Sequence, residues 1–383
     1  MNQNNNPKFL DSTSNHIFWI ILFTIISIIL SGQIDYNSPE YLNIDQAKYR
    51  AMAESAPGLN DQVIKPFAFR ILGPWLAGLL PFEITVNFFI INFITLLLIP
   101  ISLYFLLLKF SIKREISLAL IICFVFNRYF FQFYAWNYFM IVDSITLLLL
   151  IFYFFLLKRR NWFLLGCLIV LGIFIKEIVV IFIPTAFIYL YFNKGKSKDY
   201  FHLTIISLLS FFIFIGIRIF LSNGGGEELI EQFTARILRS IEPIAIIKKL
   251  IITFTPFGLI PFLFYKDTLE FFKGNKYLLA YLLLVFLTTV FGDHERLMTP
   301  FAPIYLLLIG SILQKYIVKV QSAKSNIFFI SIIILSILSS FYHLWGMIQL
   351  PSRSISMIST AILLIACLIL FINLKITSPK PSS

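Results

Sequence analysis

Apolar runs of about twenty residues recur along nearly the whole chain, and nothing else in the sequence limits the fold so strongly. In hydrocarbon a backbone must satisfy its own N–H and C=O groups, and a helix of about 20 residues does so while crossing a core of about 30 Å. The 383 residues are enough for two or three soluble domains, but no polar stretch is long enough to form one. Hydrophobic residues make up 59% and charged residues 13%. The sequence therefore predicts an all-α, polytopic helical membrane protein, with residues 1–383 as one integral membrane domain.

Twelve spans are expected, near 16–32, 84–108, 115–132, 141–157, 162–175, 177–193, 200–222, 247–265, 277–292, 297–314, 326–346 and 355–374. The fifth covers only about 20 Å at 1.5 Å rise per residue. A re-entrant hairpin over 162–193 is the alternative there, so the expected count runs from 10 to 13. The first run follows a polar tail and carries no small-x-small cleavage pattern after it, which predicts a retained span rather than a removed signal peptide.

Lys and Arg cluster in alternate loops, at Lys109, Lys113 and Arg114; Lys158, Arg159 and Arg160; Lys194, Lys196 and Lys198; Lys266, Lys273 and Lys276; and Lys315, Lys319 and Lys324. The positive-inside rule makes those loops and both termini cytoplasmic. Fourteen of the 19 acidic residues then fall outside, as do the two long loops, 33–83 and 223–246. The net charge of +12 belongs to residues flanking spans, so nucleic acid is not an expected partner. The inner loops are short and lack GxxxxGK[ST] and a strand-borne GxGxxG, which leaves a soluble nucleotide without an expected site. The Gly224, Gly225, Gly226 run lies outside and lacks the P-loop lysine. Cys123, Cys167 and Cys367 all lie in apolar runs and are expected to be small buried hydrophobes. Four scattered histidines argue against a zinc site built from them.

The chemistry-bearing residues gather on the outer side. Asp45 opens an Ala-containing stretch that Pro57 and Gly58 end, which predicts a short helix with Asp45 and Tyr49 on one face. Asp45 suits an N-cap and a catalytic carboxylate equally. Residues 66–75 surround Arg70 with apolar and aromatic side chains, which predicts an interfacial helix broken at Gly73 and Pro74. Arg70 is placed either to grip a phosphate or to snorkel to lipid headgroups. Arg128 heads the aromatic stretch to Tyr138, expected as a belt at the bilayer edge, with stacking on a sugar or lining of a lipid groove as the alternative. Asp143 opens the fourth span, and Lys176 and Glu177 sit between the fifth and sixth. Asp293, His294, Glu295 and Arg296 precede Pro300 and Pro303 at the start of the tenth; they read as a charged turn pairing internally, or as a phosphate site at Arg296. Ile230, Phe233, Ile237 and Leu238 recur at helical spacing and predict an amphipathic helix on the outer surface.

Taken together, Asp45, the Pro-Phe-x-x-Arg-x-Leu-x-Pro segment from Pro66 to Pro74, the Lys176 and Glu177 pair, and the acid-x-x-Arg motif from Asp293 to Pro303 resemble the GT-C superfamily of membrane glycosyltransferases. That resemblance implies a GT-C-like helical core with interfacial helices in the first and fourth outer loops. It implies transfer of a sugar from a polyprenyl-phosphate donor to a glycan, lipid or protein acceptor outside the cytoplasmic membrane, with inversion. Asp45 would be the base. Arg70, Lys176 and Arg296 would hold the donor phosphate, and Tyr49, Asp143, Glu177, Asp293, His294 and Glu295 would support them or bind sugar. The superfamily often carries two acids in the first loop where this chain has Asp45 alone, so a divalent metal stays an open expectation and no other cofactor is implied. Two other classes fit the composition: a transporter or lipid flippase, which needs paired charges near the midplane, and a non-catalytic subunit of an envelope-polysaccharide system.

Overall fold

Helices account for all regular structure among the described residues, with no strand. The computed structural model describes residues 13–34, 45–60, 63, 65–221, 250–289, 295–317, 322–340 and 353–377. Side chains at 287–289, 295–297, 322–325, 339–340, 353–360, 363 and 377 fall outside that description, as does the amphipathic helix expected over 223–246. In chain order the helices are α1 (Thr13–Ser31), α2 (Asp45–Glu54), α3 (Leu72–Leu79), α4 (Ile84–Lys109), α5 (Arg114–Val125), α6 (Phe133–Trp136), α7 (Ile141–Arg159), α8 (Trp162–Ile173), α9 (Phe182–Phe192) and α10 (Ser197–Phe220). After residues 222–249 come α11 (Ile260–Leu263), α12 (Tyr265–Gly274), α13 (Lys276–Thr289), α14 (Ala302–Ile317), α15 (Ser322–Ser340) and α16 (Arg353–Thr377).

Five helices are long and apolar enough to cross a membrane: Thr13–Ser31, Ile84–Lys109, Ile141–Arg159, Ser197–Phe220 and Met298–Ile317. A sixth exists if Arg114–Val125 and Arg128–Trp136, bent by 46°, count as one. Five further apolar helices are shorter, among them Trp162–Ile173 and Glu177–Phe192.

Two departures from the expected spans, and one from the expected interfacial helix, have local causes. The run over 115–132 bends where Asn127 caps a new segment, its side-chain oxygen accepting from Tyr129 N and Phe130 N at 3.0 Å each. A π-helical turn over Arg128–Gln132 follows. The bend swings the aromatic stretch inward, so Phe130, Phe131, Tyr134, Tyr138 and Phe139 are buried in the core rather than forming a lipid-facing belt. The run over 247–265 is not one span: residues 254–259 turn, beside Pro256 and Pro261, which cannot donate to a helical ladder. Tyr305 Oη donates toward two carbonyls of that turn, Phe257 O at 3.3 Å and Gly258 O at 3.2 Å. Pro74 does not break its helix; it sits in the first turn of α3, where no backbone donor is needed. A smaller correction concerns Cys167, which is exposed on α8 while Cys123 and Cys367 are buried.

The centre of the bundle is the parallel pair α4 and α7, with α8 antiparallel against α7. Polar side chains lock this apolar packing in register. Asn92 on α4 donates to Tyr134 O at 2.8 Å and accepts from Ser144 Oγ on α7 at 2.9 Å. Tyr153 Oη donates to Phe182 O at 2.8 Å, tying α7 to α9. The expected basic loops collect at one end of the bundle. There Gln314 bonds to the backbone at Ser111 and Lys113, Arg160 pairs with Asp199 at 3.3 Å, and Lys315 pairs with Asp267 at 2.6 Å. Asp143, Lys176 and Glu177 stand at the opposite end, since α7 runs from Asp143 to the Arg159 terminus and α8 returns.

At that opposite end α2 and α3 cross closely at Gly78, where an added Cβ would lie 2.1 Å from Ala53 O and 2.6 Å from Ala56 Cβ. Gly216 on α10 has nothing within 4 Å of such an atom. Gly78→Ala is therefore expected to lower the thermal unfolding midpoint in detergent, at an overpacking cost of about 1–3 kcal/mol. Gly216→Ala should leave it unchanged or raise it, by up to about 1 kcal/mol of helix propensity. Equal midpoints for the two variants would contradict the close α2–α3 crossing.

Candidate functional site

Two cations and two carboxylates from distant parts of the chain meet at the Asp143 end. Arg70 follows the 3-10 turn Phe67–Phe69. Its position is set by a backbone bond from Leu72 N to Phe174 O at 3.0 Å, which fastens the first long loop to the end of α8. Lys176 and Glu177 occupy the turn between α8 and α9, where Lys176 N bonds back to Gly172 O at 2.8 Å. That turn needs Gly172, because a Cβ there would meet Val179 Cγ1 at 2.6 Å.

Arg70 engages Glu177 through two donors, Nε to Oε2 at 3.1 Å and Nη2 to Oε1 at 2.5 Å. Its Nη1 donates to Tyr49 Oη at 3.1 Å. This is the fork-to-carboxylate geometry that only arginine offers. Three of the five guanidinium N–H groups are thereby used, and two remain for a ligand. Phe67 stands beside the group: its ring meets Tyr49 edge-on at 5.6 Å, with Arg70 Cζ 5.3 Å and Lys48 Nζ 4.3 Å from its centroid. Burial works against the Arg70 charge, but Glu177 and then Tyr49 more than offset it and hold the guanidinium above its ordinary pKa. Burial raises the Tyr49 phenol well above its usual value, although Arg70 opposes this, so Tyr49 stays a neutral hydroxyl.

The second pair is Lys176 Nζ with Asp143 Oδ1. Both side chains are nearly buried, at 13% and 10% exposure. They line a cavity of about 10 Å³ together with Tyr134, Thr299 and Tyr281, which is room for about one water. Tyr134 Oη and Thr299 Oγ1 are 2.5 Å apart across it. Thr299 belongs to the 3-10 turn Glu295–Phe301, so the late segment reaches the same place as Asp143 and Lys176.

Of the residues expected from sequence, Arg70, Asp143, Lys176, Glu177 and Tyr49 come together. Asp45 is the first residue of α2, one turn from Tyr49 and close enough to act on it electrostatically. Glu295 and Arg296 lie on the turn that carries Thr299, but their side chains, with Asp293 and His294 entirely, are outside the described residues. Arg128 lies over the Tyr129 ring at 4.3 Å. Sequence reasoning missed Arg218 near the end of α10, whose guanidinium lies 3.4 Å from the Phe214 centroid and 4.8 Å from that of Phe69, within electrostatic range of Glu177. The available signal was an arginine one turn from the end of an otherwise apolar run. Tyr134 was named only as part of the aromatic stretch after Arg128, and Thr299 was missed, since no sequence pattern marks it. Among the described residues no three His, Cys, Asp or Glu side chains are grouped to hold a metal ion.

Compared with protein-family models and with curated proteins, the chain matches none. The class that fold and site define is thus a helical protein with several membrane-length helices and a paired-charge cluster at one end of them.

A buried ion pair that loses one partner leaves an uncompensated charge, a cost of about 3–5 kcal/mol, whereas removing both is far milder. Lys176→Met should therefore lower the unfolding midpoint in detergent, and adding Asp143→Asn to it should recover part of the loss. Strictly additive losses in the double variant would show that the pair is not coupled.

Proposed function

We propose that this protein is a GT-C-like membrane glycosyltransferase of about twelve spans, moving a sugar from a polyprenyl-phosphate donor to an acceptor outside the cytoplasmic membrane. The observation that carries the reading is the pairing of Arg70 with Glu177 and of Lys176 with Asp143 at one end of the helices, beside the helix that begins with Asp45. Charges at the helix ends suit a headgroup-level phosphate, whereas a transporter would need them near the midplane. All the basic loops that contact one another lie at the other end, in keeping with a cytoplasmic face there and a site facing outward.

In this mechanism Asp45 takes the proton from the acceptor hydroxyl, whose oxygen attacks the anomeric carbon. The bond from that carbon to the phosphate oxygen breaks on the opposite face, and a single displacement inverts the configuration. Negative charge growing on the lipid phosphate is stabilised by Arg70 and Lys176, with Arg296 assigned the same role from its position before Thr299. Glu177 and Asp143 keep the two cations aimed while leaving N–H donors over for the phosphate. Tyr49, as a neutral hydroxyl on Arg70, completes the orientation. Asp293, His294 and Glu295 are assigned to sugar or to the support of Arg296. A divalent metal is not required by this scheme.

The test is transfer from a labelled polyprenyl-phosphate sugar in isolated membranes. Asp45→Asn should lower the rate by roughly 10²-fold or more, the scale of a lost general base, with the protein level unchanged. A wild-type rate in that variant removes Asp45 as base, and unchanged rates in Arg70→Gln and Lys176→Gln as well would remove the enzyme reading in favour of a structural subunit.

A further inference from the structure

A wide open feature lies toward the other end of the molecule, away from the paired charges. A groove of about 820 Å³ runs between α4, α7 and α8, within the range of roughly 300–1,000 Å³ that small-molecule sites occupy. Its wall is almost wholly apolar, and Phe105, Phe152, Leu164 and Leu171 on that wall are exposed at 38%, 39%, 46% and 52%. Lys109 and Arg159, the last residues of α4 and α7, both line the groove. No acidic side chain lines the groove, and among the described residues neither cation has a salt-bridge partner. Nearby cations are differently employed: Lys158 lies over the Phe110 ring at 3.8 Å, and Arg160 binds Asp199 and Asn193 O.

The length of the groove is the second observation. On α7 it extends from Leu149 to Arg159, about 15 Å at 1.5 Å per residue, which is half of a hydrocarbon core of about 30 Å. An apolar channel one leaflet deep with two cations at the headgroup level matches one anionic phospholipid. We infer that this groove is a binding site for an anionic phospholipid of the leaflet at the Lys109 and Arg159 end, its acyl chain along Phe105 and Phe152 and its phosphate between the two cations. The site is separate from the paired-charge cluster, because Arg159 and Asp143 lie at opposite ends of α7. Two cations near a membrane surface each favour an anionic headgroup, and together they supply selectivity for phosphatidylglycerol over a zwitterionic lipid with the same chains.

Cys167 provides a reporter, being an exposed cysteine on the groove wall while the other two cysteines of the chain are buried. The experiment uses the full chain purified in mild detergent and titrated with phosphatidylglycerol or phosphatidylcholine of identical acyl chains. Retained lipid is read by native mass spectrometry, and alkylation of Cys167 is timed with N-ethylmaleimide. Phosphatidylglycerol should bind about tenfold more tightly than phosphatidylcholine and slow Cys167 alkylation. The double substitution Lys109→Gln with Arg159→Gln should erase the preference, and Lys194→Gln with Lys198→Gln should keep it. Equal retention of the two lipids by the unaltered protein overturns the inference, as does a preference that survives the first double substitution. If that double variant cannot be purified, the alkylation arm decides alone: slowing by phosphatidylglycerol only supports the site, and equal slowing by both lipids or by neither overturns it. Protection of Cys167 by a lipid-free dimer, seen as doubled mass, would assign the groove to a second copy of this chain and likewise overturn it.

Discussion

The contact on which the rest of this structure depends joins Arg70 to Glu177, residues 107 positions apart, by two hydrogen bonds. In water such a pair would be worth little, but here the guanidinium is 13% exposed and sits among aromatic rings. A charge so placed is costly unless its geometry is met, and the bidentate fork with a third bond to Tyr49 meets it. The pair and its bond to Tyr49 therefore fasten the first long loop, including its helix α2, to the turn between α8 and α9. The adjacent backbone bond from Leu72 to Phe174 repeats the connection without charge.

Around that tie the two ends of the bundle have different physics. At the Lys109 and Arg159 end, pairs such as Lys315 with Asp267 and Glu270 are partly exposed and close short loops; surface pairs of this kind add little stability. At the Asp143 end the pairs are deeper, and each cation is held by one carboxylate while keeping further donors to spare. The first arrangement suits loops that only turn the chain around. The second holds positive charge in a partly buried setting at the helix ends, and that placement is what the proposed transfer chemistry draws on.

Much of the helical framework was legible because a membrane-length helix is a one-dimensional signal. The expected runs over 84–108, 141–157 and 200–222 match Ile84–Lys109, Ile141–Arg159 and Ser197–Phe220 closely. The short fifth run is likewise a short helix, Trp162–Ile173. Illegible were the places where a single polar or cyclic residue redirects the chain. Asn127 bends an apolar run that hydropathy averages over, and the turn over 254–259 interrupts another beside Pro256 and Pro261. In the site, Arg70, Asp143, Lys176 and Glu177 were singled out because ionisable residues stand out against apolar neighbours. Arg218 carried the same signal but was absorbed into a long span, and Tyr134 and Thr299 resemble dozens of other core residues until their hydroxyls are seen 2.5 Å apart.

By itself the sequence determined that the chain is helical, that several helices are of membrane length, and that clusters of Lys and Arg recur in alternate loops. Hydropathy and charge act locally along a chain and need no partner to be read. Only the tertiary structure decided which carboxylate serves which cation: Glu177 turns to Arg70 rather than to its neighbour Lys176, which pairs with Asp143 instead. The same holds for the aromatic stretch after Arg128, which packs into the core and not against lipid. Pairing and burial depend on distances between segments far apart in sequence, and those distances exist only once α7, α8 and the first long loop have packed against one another.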